Sequence, residues 1–129
     1  MEHRSDGEPV EGTMIRRIWH GWTTSANADA YERLLREQIF PGIAARGVTG
    51  LRELEAWRQQ AGEEVEFVTV MSFDDLRAVA DFTGGDPALS VVPEAARELL
   101  ARFDEHSRHY GLVITAPCDT GPHCEPWVP

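Results

Sequence analysis

The sequence predicts an α+β fold of the split βαβ, ferredoxin-like type, an antiparallel sheet with helices on one face. Three observations predict it. Residues 14–23 alternate with a period of two, as a strand does. Tyr31, Leu34, Leu35 and Ile39 follow with the i, i+3, i+4, i+8 spacing of a buried helix face. Two further strand-like runs then flank a glycine-containing turn, as in a hairpin. With a helical region after the hairpin and a closing strand, the order is β-α-β-β-α(α)-β.

In the first strand Ile18, His20 and Trp22 point one way, and Arg17, Trp19, Gly21 and Thr23 the other. Both faces carry large side chains, so both are expected to be covered. Thr24, Ser25 and Asn27 supply candidate N-caps for a helix from about 26 to 40. Pro41 and Gly42 bend or end that helix, with room for one more turn before Gly47.

The hairpin arms are about Gly50 to Arg58 and Val65 to Phe73, with the turn near Gln60 to Glu63. The second arm is rich in β-branched and aromatic residues and has no breaker. The first arm, Leu51 to Arg58, consists largely of strong helix formers, and propensity alone makes it helical. The turn and the partner's need for a neighbour override propensity. Asp74-Asp75 caps a helix with Leu76, Val79 and Ala80 on one face, ending near Gly84-Gly85. Asp86-Pro87 begins a connection. A second helix starts near Pro93, with Ala96, Leu99, Leu100 and Phe103 as its apolar stripe, and Arg108 to Ile114 closes the sheet.

This gives one domain, residues 14–114, between a loosely attached polar arm (1–13) and a tail (115–129) that holds four of the prolines. At 129 residues, with 42% hydrophobic and 26% charged, the chain is ordinary for a single globular domain. A net charge of −10 argues against nucleic acid and anionic membrane surfaces as partners. No apolar run approaches the roughly 20 residues of a membrane span, and the opening residues show no secretory h-region. A cytoplasmic protein is expected. An antiparallel sheet with helices on one face leaves the other bare, which predicts a homodimer joined sheet to sheet.

Met14-Ile15, Trp19 to Thr23, Tyr31 to Leu35, Glu66 to Leu76 and His109-Tyr110 together resemble the antibiotic biosynthesis monooxygenase-like family, within the dimeric α+β barrel superfamily. The resemblance covers residues 14–114 and rests on strand and helix patterns. It implies a homodimer whose sheets form a barrel, and a pocket in each monomer between helices and sheet. Some members are cofactor-free oxygenases of electron-rich aromatics and others degrade haem. The haem-degrading members use an Asn, a Trp and a His at positions matching Trp19, Phe73 and the stretch near Val92 to Glu94. None of these identities is kept here, which weighs against haem degradation. By the same matching, Arg17, Trp19, Gly21, Thr23, Phe67, Thr69, Met71 and Phe73 face the helices, while His20 and Trp22 face the barrel or the dimer interface.

Trp19, Tyr31, Phe67, Met71 and Phe73, with Thr69, then make an aromatic-walled site for a small molecule, or simply a core. His20 and His109 lie on neighbouring strands and could act as acid and base, or hydrogen-bond at an interface. Tyr110 is a candidate proton donor to reduced oxygen. Arg17 could hold an anionic or enolate oxygen, or snorkel to the sheet edge. His106 and His109 have i, i+3 spacing, but a helix–strand boundary falls between them. Cys118, His123 and Cys124 lack a fourth metal ligand at standard spacing. No nucleotide-binding, nucleophile-elbow or zinc-protease motif occurs. The expected function is therefore cofactor-independent oxygenation of a phenolic or quinol-like compound, with no cofactor and no metal. The alternative is a non-catalytic barrel for ligand binding or association.

Overall fold

A computed structural model describes residues 13–84 and 91–118. The sheet is antiparallel and α+β in class, as the sequence predicts. Its strands are β1 (Ile15–Thr24), β2 (Leu51–Ala61), β3 (Glu64–Phe73), β4 (Leu100–Phe103) and β5 (Arg108–Gly111). The order is β2-β3-β1-β4, and β5 also pairs with β1. The long strand β1 thus lies between β3 on one side and β4 and β5 on the other. β4 runs beside Gly21 to Thr23 and β5 beside Ile15 to Ile18. Among the described residues, no helix is long and apolar enough to cross a membrane.

The hairpin forms as expected, so β2 is strand despite its helix formers. Ten of its residues find partners on β3, and a bulge at Arg52 shifts the register once. Asp74 donates its N–H to the Gly50 carbonyl at 2.8 Å, tying the start of β2 to the chain leaving β3. Gly50 sits at φ +90°, and a Cβ there would approach the Cβ of Ala78 to 2.8 Å. Both the backbone conformation and the close approach of Ala78 require glycine.

The first helical region takes the further turn that the sequence allows and ends before Gly47. Thr24 caps a 3₁₀ turn (Ser25–Asn27) through a 3.2 Å bond to the Asn27 N–H. Helix α1 (Ala28–Leu34) follows, then a π-helical turn (Leu35–Ile39) and α2 (Phe40–Ala45). Pro41 does not end the helix. It falls in the first turn of α2, where its missing N–H matters least. The wider turn just before it lets the Phe40 N–H bond the Leu35 carbonyl, five residues back.

Helix α3 (Leu76–Thr83) is capped by Asp75, whose side chain accepts from the Ala78 N–H at 3.0 Å. It ends at Gly84 with φ +70°. Its buried face is Ala78, Val79 and Phe82, and Ala80 is exposed. Helix α4 (Glu94–Leu99) begins after Pro93 but stops before Leu100. The predicted helical stripe is therefore shared: Ala96 and Leu99 belong to α4, while Leu100 and Phe103 belong to β4. The closing strand ends at Gly111, and Leu112, Val113 and Ile114 continue as exposed, non-strand chain. The predicted arm and the connection at Asp86-Pro87 lie outside the described residues, except for Thr13, as does the tail beyond Cys118.

Two buried clusters pack between sheet and helices. One holds Tyr31, Leu34, Leu35, Val65, Phe67 and Ala96. The other holds Ile15, Met71, Phe73, Val79 and Phe82. Trp19 pairs with Thr69 in the register, midway between the Phe67 and Met71 positions that anchor these clusters. The candidate site lies there.

Candidate functional site

The helix-facing side of β1 presents Ile15, Arg17, Trp19, Gly21 and Thr23, because alternation puts every second residue on that side. The indole of Trp19 folds along the strand toward Gly21. A Cβ on Gly21 would lie 2.7 Å from the Trp19 ring. Glycine at 21 is therefore what allows this indole position. Trp19 Nε1 donates to the Asp104 carbonyl at 2.8 Å, and its ring lies 6.0 Å from that of Phe103. These contacts hold the indole as a wall of the cavity beside it.

That cavity is bounded by Arg17, Trp19, Thr69 and Met71 from the sheet, and by Tyr31, Leu35, Ile39 and Phe40 from the long helix. Phe82, Val92, Pro93 and Ser107 complete it. Its volume is about 60 Å³, well below the roughly 150 Å³ of an apolar cavity that takes benzene. The walls nearly fill it. An outer groove of about 550 Å³ adjoins it on the β2 side, and Leu35 and Phe40 line both spaces.

Among the described residues that line the inner cavity, Arg17 is the charged one. It is only 3% exposed, and burial lowers its pKa to about 10, so it remains a cation at neutral pH. Its Nη1 donates to His109 Nε2 at 2.9 Å. A guanidinium has no acceptor, so this bond places the histidine proton on Nδ1. The strand register brings the two residues together, since Arg17 is directly opposite His109. Burial, and then the Arg17 charge, push the His109 pKa down to about 4. Tyr31, packed edge-on against Phe67 at 4.8 Å, is pushed up to about 12 by burial and stays a neutral phenol.

The depressed His109 pKa has a consequence for stability. The unfolded imidazole takes up its proton near pH 6.5, whereas the folded one resists until about pH 4. Protons therefore favour the unfolded chain across that window, and stability falls as pH drops through it. Thermal melts at several pH values check this. The wild-type melting temperature should fall between about pH 6.5 and 4 more steeply than that of His109→Gln. Parallel curves would contradict the assignment.

The opposite face carries His20. Its Nδ1 bonds Glu66 Oε2 at 2.8 Å, and Glu66 Oε1 accepts from Gln59 Nε2 at 2.7 Å. These two hydrogen bonds hold the Glu66 carboxyl below its usual range, the Gln59 bond first. His20 stacks on Trp22 at 6.2 Å, and the Arg102 guanidinium lies 4.0 Å from the centre of the Trp22 ring.

The structure thus corrects the expected histidine pair. His109 shares a face with Arg17, and His20 lies three positions along β1 on the other face. They cannot act together on one substrate. Tyr110 pairs with Arg16, half exposed and on the face away from the cavity. Of the seven expected ligand contacts, Arg17, Trp19, Tyr31, Thr69 and Met71 line the inner cavity. Phe67 lines the outer groove instead. Phe73 lines neither; it is wholly buried, 5.8 Å from Phe82. Phe40 and Phe82 were not among the expected contacts. Phe82 stands three residues after Val79 on the same helix face, a spacing that could have revealed it. Cys118 is exposed; His123 and Cys124 lie outside the described residues.

No protein-family model and no curated protein matches the sequence. Solved structures do match the fold. One is described as a "putative antibiotic biosynthesis monooxygenase" from Bacillus cereus, at 13% identity and a TM-score of 0.57 over 82% of this chain and 99% of that one. A conserved protein from Methanosarcina mazei matches at 12% identity and a TM-score of 0.55, over 78% and 93%. A third, from Chloroflexus aurantiacus and described like the first, matches at 16% identity and a TM-score of 0.51, over 81% and 98%. The chain therefore shares the fold of these proteins over nearly their whole length.

Proposed function

We propose that the protein is a cofactor-independent monooxygenase of a small phenolic or quinol-like aromatic, acting as a homodimer. The observation that carries this reading is the buried Arg17 cation, held by a neutral His109 beside an aromatic-walled cavity. A cation in a poorly solvated site lowers the pKa of a bound phenol and favours its phenolate. An electron-rich phenolate passes one electron to dioxygen, and the resulting radical and superoxide combine at a ring carbon. The hydroperoxide then loses water to leave a quinone. Phenol and one dioxygen thus give quinone and one water; the proton lost when the phenol ionises is made good when the peroxide is protonated, so no net proton is released. His109 serves as the positioning residue for Arg17, since its Nε2 lone pair is already engaged. Monooxygenase is also the description of two solved structures of this fold.

A second reading is a non-catalytic ligand-binding or association barrel. The small inner volume favours it, because even benzene occupies an apolar cavity of about 150 Å³. Catalysis requires the partly buried side chains of Ile39 and Phe40 to yield.

Oxygen uptake by the purified, metal-free protein with hydroquinones and anthrone-like phenols separates the two. Uptake should be lost or sharply reduced in His109→Ala and kept in His20→Ala. Loss in His20→Ala alone would move the chemistry to the open face. Absence of uptake across the panel would favour the association reading.

The proposed dimer uses the open sheet face. Tyr110, Leu112, Val113 and Ile114 are 48 to 93% exposed, and they border a groove with Met14 and Ile18. Such exposed apolar surface is what a sheet-to-sheet interface would cover, and supports this reading. Light scattering should give twice the chain mass at micromolar concentration, and a monomer would contradict it.

A further inference from the structure

We propose that the outer groove is a second subsite of the same cleft, taking the neutral, apolar tail of an amphiphilic phenol whose ring occupies the inner cavity. Leu35 and Phe40 are the partition between the two. The inference rests on the proposed binding of a phenolic ring beside Arg17.

The sheet supplies a continuous floor. Leu54 is opposite Met71 in the β2–β3 register, and Ala56 is opposite Thr69. Leu54 and Ala56 floor the groove, while Met71 and Thr69 floor the inner cavity. A molecule crossing from one to the other moves by one strand spacing, about 4.8 Å. At about 550 Å³ the groove lies within the range of small-ligand sites.

The partition is local to the π-helical turn. Leu35 and Phe40 are the two ends of its five-residue hydrogen bond. The wider turn brings residues five apart nearer to one helix face, and both Leu35 and Phe40 line both spaces.

Charge selects the tail. Arg58 bonds both Asp29 at 3.2 Å and Glu32 at 3.0 Å, and Arg36 pairs with Glu32 at 3.2 Å. Two cations meet two anions, so a charged tail would have to break existing pairs. A neutral tail leaves them intact and covers Leu35, Phe40, Pro41, Ala44 and Phe67. The ligand is thus an alkyl- or terpenyl-substituted phenol rather than a phenol with a charged substituent.

Calorimetric titration of phenol and para-alkylphenols tests this. In the wild type, affinity should rise roughly two- to fourfold per methylene as the chain enters the groove. Ala56→Trp and, separately, Ala44→Phe fill the groove from exposed positions that tolerate larger side chains. Each variant should abolish the gain with chain length and leave phenol itself unchanged. A gain that survives in both variants, or an equal loss for phenol, would overturn the subsite. If no phenol binds the wild type, both the subsite and the Arg17 ring site fall. Groove-dependent binding without oxygen uptake would keep the subsite and remove the oxygenase reading. Circular dichroism melts show which variants are folded.

Discussion

Arg17→Gln should lower the rate of oxygen uptake with a phenolic substrate by about 100- to 1,000-fold, the usual effect of removing a donor that holds a developing oxyanion. Glutamine keeps an N–H for His109 but loses the charge that favours phenolate. The stability change should be much smaller than the activity change. Replacing a buried cation with a neutral group removes a desolvation cost while an N–H for His109 is kept. Melting temperature and rate therefore separate the two roles. If Arg17 only braces the sheet, both fall together. Arg17→Lys should retain part of the activity, because a point charge without the planar fork binds one oxygen less well. Equal rates for wild type and Arg17→Gln would remove Arg17 from the mechanism.

Phe73→Ala should destabilise the fold by about 3–5 kcal/mol, as expected for emptying a fully buried aromatic site. Phe73 is 0% exposed, and its ring meets Phe82 near Ile15 and Val79. That loss is a large share of the roughly 5–15 kcal/mol that a domain of this size has. Denaturant midpoints measure it. Ligand affinity per folded molecule should stay the same, because Phe73 does not border the cavity. A large loss of binding with normal stability would restore Phe73 to the site.

These two residues mark what the sequence can and cannot disclose. Alternation, with the family resemblance to orient the faces, puts Arg17 and Phe73 on the helix-facing side of the sheet. It does not say which position lies beside a space and which is sealed by a neighbouring helix. Phe73 is sealed by Phe82; Ala80, four residues after Leu76, fits the helical spacing as well, yet the buried face of α3 runs through Ala78, Val79 and Phe82. The strand fate of β2 was legible only from its surroundings, since its residues favour helix. The stripe from Ala96 to Phe103 fits a helix throughout, yet the chain turns to strand at Leu100. Hydrophobic spacing does not register a change of element partway along an apolar run.

The histidines show the same limit for the site. Neighbouring strands were legible, but their register was not. The observed register pairs Arg17 with His109 and leaves His20 on the other face with Glu66. A one-residue slip would reverse the face of His109. Phe40 was hidden for a different reason. Pro41 reads as a bend or a stop and does not reveal the π-helical turn that carries the helix past it and brings Phe40 over the cavity.

Absorbance titration of para-nitrophenol tests the central claim most directly, because its phenolate is coloured and its ionisation reports the charge beside it. Bound to the wild-type protein, it should ionise at a lower pH than in free solution, and Arg17→Gln should abolish that shift. An unshifted titration in the wild type, or the same shift in Arg17→Gln, would contradict a phenol-binding pocket built on Arg17.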